Sequence, residues 1–396
     1  MKKLKISVLL LLLLLMPCCV CGCWDKNELN QLVVILGVGI DEAKTPGEME
    51  MTIQIERNGG NSQSSTSVSS VGSQSNGSNY LNIQDAGGSV PTIFTDYSHE
   101  LSRKMFISQN QAIIFGENFA KNGIRNSMNF FLRDYQGRLN VDIFVAKGKA
   151  GDILNLNPTM GKIPVYEISQ MIDAQSANSE STKLIVADLM KDLSSSTKSM
   201  VAPYIESIDE NGEKHFSISG SAVFKGDKLV GELNKEETRG YLWVIDKVRN
   251  GKITVNVLNE QAVLQIGKAK GQIVPELAED GSLSIRVDIT EEGIIKSQTG
   301  PLPLDTPEKM RLLESTEVNE IKAEILQTLG KTREMGTDIY GFGEAIHQKY
   351  PQKWSTIEKD WGNLYKTIPV NVHVTAKVQG GGRIVSPDYP DEESKK

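Results

Sequence analysis

Four cysteines crowd into six residues, Cys18, Cys19, Cys21 and Cys23 of "CCVCGC", and the chain has no other. Thiolates this close can bind soft metals or exchange disulfides, so the cluster is the first place to look for chemistry. A closed zinc site draws its remaining ligands from a second segment. His99, His215, His347 and His373 are scattered singly, with no paired ligand spacing. No metal and no cofactor is therefore expected. The residues ahead of the cluster give another answer: "MKK" with Lys5 makes a positive start, and "ISVLLLLLLLM" is an apolar run of signal-peptide length. A transmembrane helix takes about twenty apolar residues, so this run is too short to span. Residues 1–22 are expected to be an export signal.

The signal ends in "VCGC", which resembles the bacterial lipobox: an aliphatic residue three before the cysteine, a small residue directly before it, and a thiol that receives diacylglycerol. By that resemblance Cys23 is the lipid-attachment residue and the first residue of the mature chain, and Cys18, Cys19 and Cys21 leave with the signal. Cys18 or Cys19 as the attachment residue would put a proline or a cysteine where the small residue belongs. With Cys23 blocked as a thioether, the exported chain is expected to hold no disulfide and no nucleophilic thiol. Its stability must come from core packing. A diacyl anchor supplies the two chains that stable attachment needs, and Trp24 stands at headgroup level.

Charge narrows the partners. The chain carries 43 Lys plus Arg against 50 Asp plus Glu, net −7, and loss of the three signal lysines makes it more acidic still. An acidic surface without a basic stripe does not neutralise phosphates, which argues against nucleic acid, nor does it adhere by charge to an anionic membrane. No Gly-x-Ser-x-Gly elbow, phosphate loop or His-Glu-x-x-His stretch is present, and no catalytic residue is assigned. Adjacent carboxylates such as Glu236-Glu237 sit in helix-like text, where neighbours point apart, and read as a solvated face. "GVG" within Leu32–Ile40 lacks the third glycine and the following helix of a dinucleotide-binding turn. His99 with Glu100 lacks the second histidine of a zinc motif.

The elements behind these residues alternate. Leu32–Ile40 reads as a strand buried on both faces, and "MEMTIQIE" as a half-buried strand with Met49, Met51, Ile53 and Ile55 on one side, the two forming a hairpin. Residues 58–90 open in a Ser/Gly-rich stretch and are expected to be a flexible loop. Helix–strand–helix–helix–strand text follows through "VDIFVAKG". "DILNLNPTMGKIPVYEISQMIDAQSANS" is helical at both ends, and the polar run Ser194–Ser199 marks a boundary. Beyond it come the hairpin "HFSISGSAVFKGDKLVGEL", the helix "NKEETRGYLWVIDKV" and the strands "KITVNVL" and "LSIRVDIT". A long helix begins after Asp305-Thr306-Pro307-Glu308 and carries Val318, Ile321, Ile325 and Leu329 as its stripe. Trp354, Ile357, Trp361 and Leu364 share a face, and "PVNVHVTAKV" ends the fold as a strand. The expected organisation is the signal (1–22), an N-terminal α+β domain (23–200), a central β-rich region (201–275), a C-terminal α+β domain (276–384) and a disordered tail (385–396).

In family order the chain carries "GCWDKNELNQLVVILGVGID", "IIFGENFAKNGI", "FLRDYQGRLNVDIFVAKGKAGDIL", "GSAVFKGDKLVGELNKEETRGYLWV" and "TDIYGFGEAIHQKYPQKW". Together these resemble the Ger(x)C family of spore germination lipoproteins, the C subunits of nutrient germinant receptors, over nearly the whole mature chain. The resemblance implies a lipid-anchored, multi-domain α+β protein with mixed β-sheets packed by helices. It further implies tethering to the outer face of the inner spore membrane and work beside integral membrane A and B subunits. The family supplies no catalytic residues. Trp24, Asp25, Asp338, Gly341, Phe342 and Gly343 match its motifs without an assigned role, and "GFG" reads as a tight helix-joining turn. The alternative from another class is an extracytoplasmic solute-binding lipoprotein that delivers a ligand to a transporter.

Overall fold

The apolar run Leu32–Ile40 lies inside β1 (Leu32–Glu42), the strand around which a computed structural model of the chain builds its first sheet. The structure describes residues 31–57, 79–133, 137–299 and 306–380, and Ile6 by itself. Cys23, Trp24, Asp25 and the 385–396 segment fall outside the described residues, as does residues 58–78 of the expected loop. The rest of that expected loop is ordered structure: Tyr80–Gly87 forms β3.

β2 (Met49–Glu56) pairs antiparallel with β1, placing Met51 opposite Ile40, which is the expected hairpin. β3 continues the sheet beyond β2. On the other side of β1, β5 (Ala112–Gly116) and β6 (Asp142–Ala146) run parallel to it, and both are buried along their whole length. Parallel strands covered on both faces need such unbroken apolar text. β7 (Val201–Glu210) extends the sheet parallel to β6, then hairpins into β8 (Glu213–Lys225) and β9 (Lys228–Leu233). The short β4 (Lys104–Phe106) pairs with the start of β1.

One face of this sheet packs against α1 (Val90–Glu100), α3 (Arg125–Arg133) and α6 (Val186–Ser194), and α2 (Glu117–Asn122) follows β5 directly. The other face is closed by α4 (Ala150–Leu154) and α5 (Pro164–Asn178). That second cover corrects the half-buried reading of β2. Thr52 and Gln54, on its polar side, are 1 % and 0 % exposed. Gln54 stays satisfied by accepting the Val165 N–H and donating to Asn82 Oδ1 and the Leu154 carbonyl.

The second sheet holds β10 (Lys252–Val257), β11 (Glu260–Leu277), β12 (Leu283–Gln298) and β13 (Val370–Gln379) in that order, with β13 parallel to β12. The stretch 201–275 is thus shared, β7–β9 completing the first sheet and β10 with most of β11 starting the second. Helix α8 (Pro307–Met335) covers this sheet. It is capped by Thr306, whose side chain accepts the Lys309 N–H, with proline in the first turn as the sequence signalled. Ile321, Ile325 and Leu329 of its stripe are buried.

Helix α7 (Lys235–Val244) joins the halves, and its last eight residues, Glu237–Val244, are all buried. It opens with a capping box: Glu237 N–H donates to Asn234 Oδ1 at 2.7 Å, and Asn234 N–H donates to Glu237 Oε2 at 2.8 Å. The expected solvated face therefore holds for Glu236 alone. Glu237 is 5 % exposed and also meets Lys331 of α8 at 2.7 Å. Where α7 crosses α8, a Cβ on Gly240 would overlap the Glu324 carbonyl and Thr328 Oγ1, so glycine sets the helix separation.

Candidate functional site

The motif text "TDIYGFG" folds into a buried capping turn after α8. Asp338 is 4 % exposed, and its carboxylate accepts three backbone N–H groups: Gly341 at 2.9 Å, Phe342 at 3.1 Å and Gly343 at 2.9 Å. Those N–H groups belong to the start of α9 (Phe342–Lys349). Gly341 sits at φ 79°, a left-handed conformation that glycine adopts without a Cβ penalty. The reading of "GFG" as a tight turn fits this geometry. Burial pushes the Asp338 carboxyl up to about 6, while the three N–H groups pull it back toward the charged form.

This turn is a contact between the two halves. The Asp338 carbonyl accepts the Ser199 N–H at 2.8 Å. A Cβ on Gly343 would lie 2.8 Å from Trp361 Nε1 and 3.0 Å from Thr197 Cβ, so a side chain there would push the segment joining α6 to β7 away. Phe342 stacks on Tyr340, centroids 4.9 Å apart, and Tyr340 leans on Tyr241 of α7 at 5.9 Å. Two residues that the sequence left without a role, Asp338 and Gly343, therefore hold an aromatic chain and a linker in register.

Beside that chain lies a cavity of about 560 Å³. Residues 181–185, α6, Lys198 and Val201 line it from one half; Tyr241, Leu242, Ile245, Lys247 and Arg249 line it from the other. Lys198 is tied to Asp192 at 3.2 Å, and Lys183 to Asp142 at 3.4 Å and also to Asp173. Arg249 is held loosely, 3.8 Å from Asp246. Burial raises the Asp192 carboxyl despite its lysine partner. The Tyr241 hydroxyl is raised far above the ordinary phenol range by burial, then by the negative charges of Asp192, Asp338 and Asp188, and so stays a proton donor. Nothing in the sequence pointed to this cavity, whose walls come from chain segments some fifty residues apart.

The Gly-x-Gly-x-Asp stretch also gains an explanation. A Cβ on Gly37 would meet Val165 Cγ2 at 2.9 Å, and one on Gly39 would meet Leu154 Cδ1 at 3.1 Å, so these glycines admit α5 and α4 against β1. Asp41, 2 % exposed, accepts the N–H groups of Ala150 and Gly151 at 2.8 and 2.9 Å. The stretch packs helices onto the sheet, in keeping with the rejection of a dinucleotide turn. Beyond the carboxyl ends of β1, β5 and β6 a shallower crevice of about 400 Å³ mixes Lys44 and Lys149 with Glu42 and Glu117. His99 is exposed, and among the described residues no group of three or more His, Cys, Asp or Glu side chains comes together as metal ligands.

The architecture is that of an α+β protein whose two sheet-and-helix halves share one apolar cluster at their seam, running from Val201, Val223 and Leu233 of the first sheet into the second. Its fold resembles the crystal structure of the GerBC protein, with TM-score 0.53 at 17 % identity, covering 89 % of this chain and 99 % of that one. Two family models match in succession: "Spore germination protein N-terminal domain" over residues 25–207, and "Spore germination B3/GerAC like, C-terminal" over residues 219–382. Among curated proteins of Bacillus subtilis (strain 168), spore germination protein KC is 26 % identical over 91 % of this chain and 92 % of its own length. Spore germination protein YndF is 27 % identical over 90 % and 93 %, and spore germination protein B3 is 22 % identical over 92 % and 95 %. The chain belongs to the Ger(x)C family of spore germination proteins.

Proposed function

We propose that the protein is a non-catalytic, lipid-anchored C subunit of a spore nutrient germinant receptor, acting beside integral membrane A and B subunits. The observation that carries this reading is the succession of both family models, in order, along almost all of the chain after Cys23. The export signal supports it, as does the fact that no helix among the described residues is long and apolar enough to cross a membrane. Cys23 carries the diacylglyceryl group and holds both halves at the outer face of the inner spore membrane. Confinement there raises their effective concentration beside the membrane partners, so weak contacts suffice for assembly.

The test is dipicolinate release from spores lacking this gene, followed over a panel of single nutrients and compared with the parent and a complemented strain. Loss of response to one nutrient or a small group, restored by complementation, supports the receptor role. A deletion strain that answers every nutrient at the parental rate, also in a background without related receptors, removes it.

A further inference from the structure

We infer that the seam cavity lined by Lys191, Lys247 and Tyr241 is a binding site for a small organic monocarboxylate with an apolar body. At about 560 Å³ it has the size of small-molecule sites, which occur preferentially where two domains meet. Both halves contribute charge. Lys191 comes from α6 and Lys247 from the segment after α7, and neither has an ion-pair partner among the described residues. Asp188 is the uncompensated acid on the lining. Two free positive charges against one free negative charge favour a ligand that brings a single negative charge. This local surplus of cations stands out in a chain of net charge −7.

The neutral part of the lining completes the description. Tyr241 is 5 % exposed, and its hydroxyl joins none of the hydrogen bonds around it. The ring lines the cavity, and its hydroxyl is available there to donate to a carboxylate oxygen. Leu184, Val201, Leu242 and Ile245 give the remaining wall an apolar surface suited to a hydrocarbon or aromatic body. The Asp338 turn fixes this arrangement from below, since Tyr340 and Phe342 prop the ring of Tyr241. The free charges sum to a single positive one, which a monocarboxylate matches and a phosphate group, at about −1.5 to −2 near pH 7, exceeds.

This inference stands apart from the receptor reading, because binding in solution and nutrient response in spores fail separately. Full-length protein in detergent micelles is titrated calorimetrically at low ionic strength with benzoate, and in parallel with its neutral isostere benzamide. Saturable heat with benzoate and binding of benzamide weaker by about tenfold or more is the expected result, since hydrogen bonds and pairing to the charged group carry the affinity. The K191E/K247E variant weakens benzoate by about tenfold or more while leaving the thermal transition in place. Tyr241→Phe keeps the ring on Tyr340 and removes the donor, lowering affinity by about three- to tenfold. Absence of saturable benzoate heat, equal affinity for benzamide, or undiminished binding in the double charge reversal would each overturn the site.

Discussion

Glu291 of β12 and Glu317 of α8 face one another inside the second sheet's helix-covered core, 2 % and 0 % exposed, with no ion-pair partner among the described residues. Their carboxyl oxygens converge on Gly293, where a Cβ would lie 3.1 Å from Glu317 Oε1 and 3.2 Å from Glu291 Oε1. The residues beside Glu291 on the neighbouring strands are Ala269 and Ala376, which leave room for the pair but bring no charge. Burial holds both carboxyls above the ordinary glutamate range; the charge of Glu317 adds to this for Glu291, and Glu314 for Glu317. Two carboxylates so placed cannot both ionise cheaply, so the pair keeps at least one proton.

The sign of the pH dependence follows. An unfolded glutamate loses its proton near the ordinary value of 4.5, while the folded pair retains one above it. The native state binds more protons there, so this pair's contribution to stability falls as pH rises from about 4.5 into the alkaline range. Glu291→Gln keeps a donor toward Glu317 and cannot titrate. It is expected to flatten the slope and to gain about 1–3 kcal/mol over wild type at pH 8, with little difference near pH 5. Urea unfolding of both proteins at the two pH values checks this; an unchanged slope would show that the pair ionises in place.

The α7–α8 crossing makes a second prediction. Glu324 accepts from Arg239 Nε at 3.1 Å and Trp243 Nε1 at 3.0 Å, and Arg239 Nη1 reaches the Lys252 carbonyl at 3.1 Å. Both charged residues are 8 % exposed. Removing one partner strands the other in low dielectric, so Glu324→Ala is expected to cost about 3–5 kcal/mol, whereas replacing both by apolar residues of similar volume removes that penalty and leaves about 1–3 kcal/mol for the unpartnered Trp243 N–H. Chemical denaturation of Glu324→Ala and of the double Arg239→Met/Glu324→Leu gives the comparison. A double variant as unstable as the single would mean that the pair contributes more than mutual neutralisation.

How far the sequence spoke depended on whether a signal was local. The β1–β2 hairpin, the capped start of α8 and the Asp338 turn all announce themselves through alternation, Thr-Pro capping or clustered glycine. β3 was hidden because "YLNIQDAG" continues a polar stretch and lacks an apolar run. β7 is marked in the sequence only at its end, where Asn211 and Gly212, at φ 59° and 88°, are type I′ hairpin residues. β11 is masked by its composition: its 18 residues include Gly267, Gly271, Pro275 and four charged side chains, which strand propensity disfavours. The solvated-face expectation fails at Glu237 because burial of a capping glutamate is decided by α8, which lies ninety residues away in the chain. The seam cavity and the Glu291–Glu317 pair have no local text at all, since folding alone brings their members together.

Asp338 should matter to the seam more than its single side chain suggests. Asp338→Ala leaves the N–H groups of Gly341, Phe342 and Gly343 without their acceptor in a closed interior, an expected loss of about 1–3 kcal/mol. The aromatic chain Tyr241–Tyr340–Phe342 should loosen with it, so the near-ultraviolet circular dichroism signal is expected to fall while the far-ultraviolet signal holds. Asp338→Asn keeps one acceptor oxygen and should lie between wild type and alanine. Equal stability of all three proteins would assign the cap no structural weight.

The last prediction concerns Cys23, and two readouts are needed because the signal itself is apolar. If the lipobox resemblance holds, the wild-type chain incorporates labelled palmitate and stays in the membrane pellet through a carbonate wash. Cys23→Ala removes the thiol that accepts diacylglycerol, so label incorporation is expected to vanish. The apolar run of residues 6–16 is shorter than the roughly twenty residues that a spanning helix needs, so the variant should also move into the supernatant. Label that persists in the variant would place the lipid on another residue. Loss of label with retention in the pellet would instead show that an uncleaved signal or a protein partner holds the chain at the membrane.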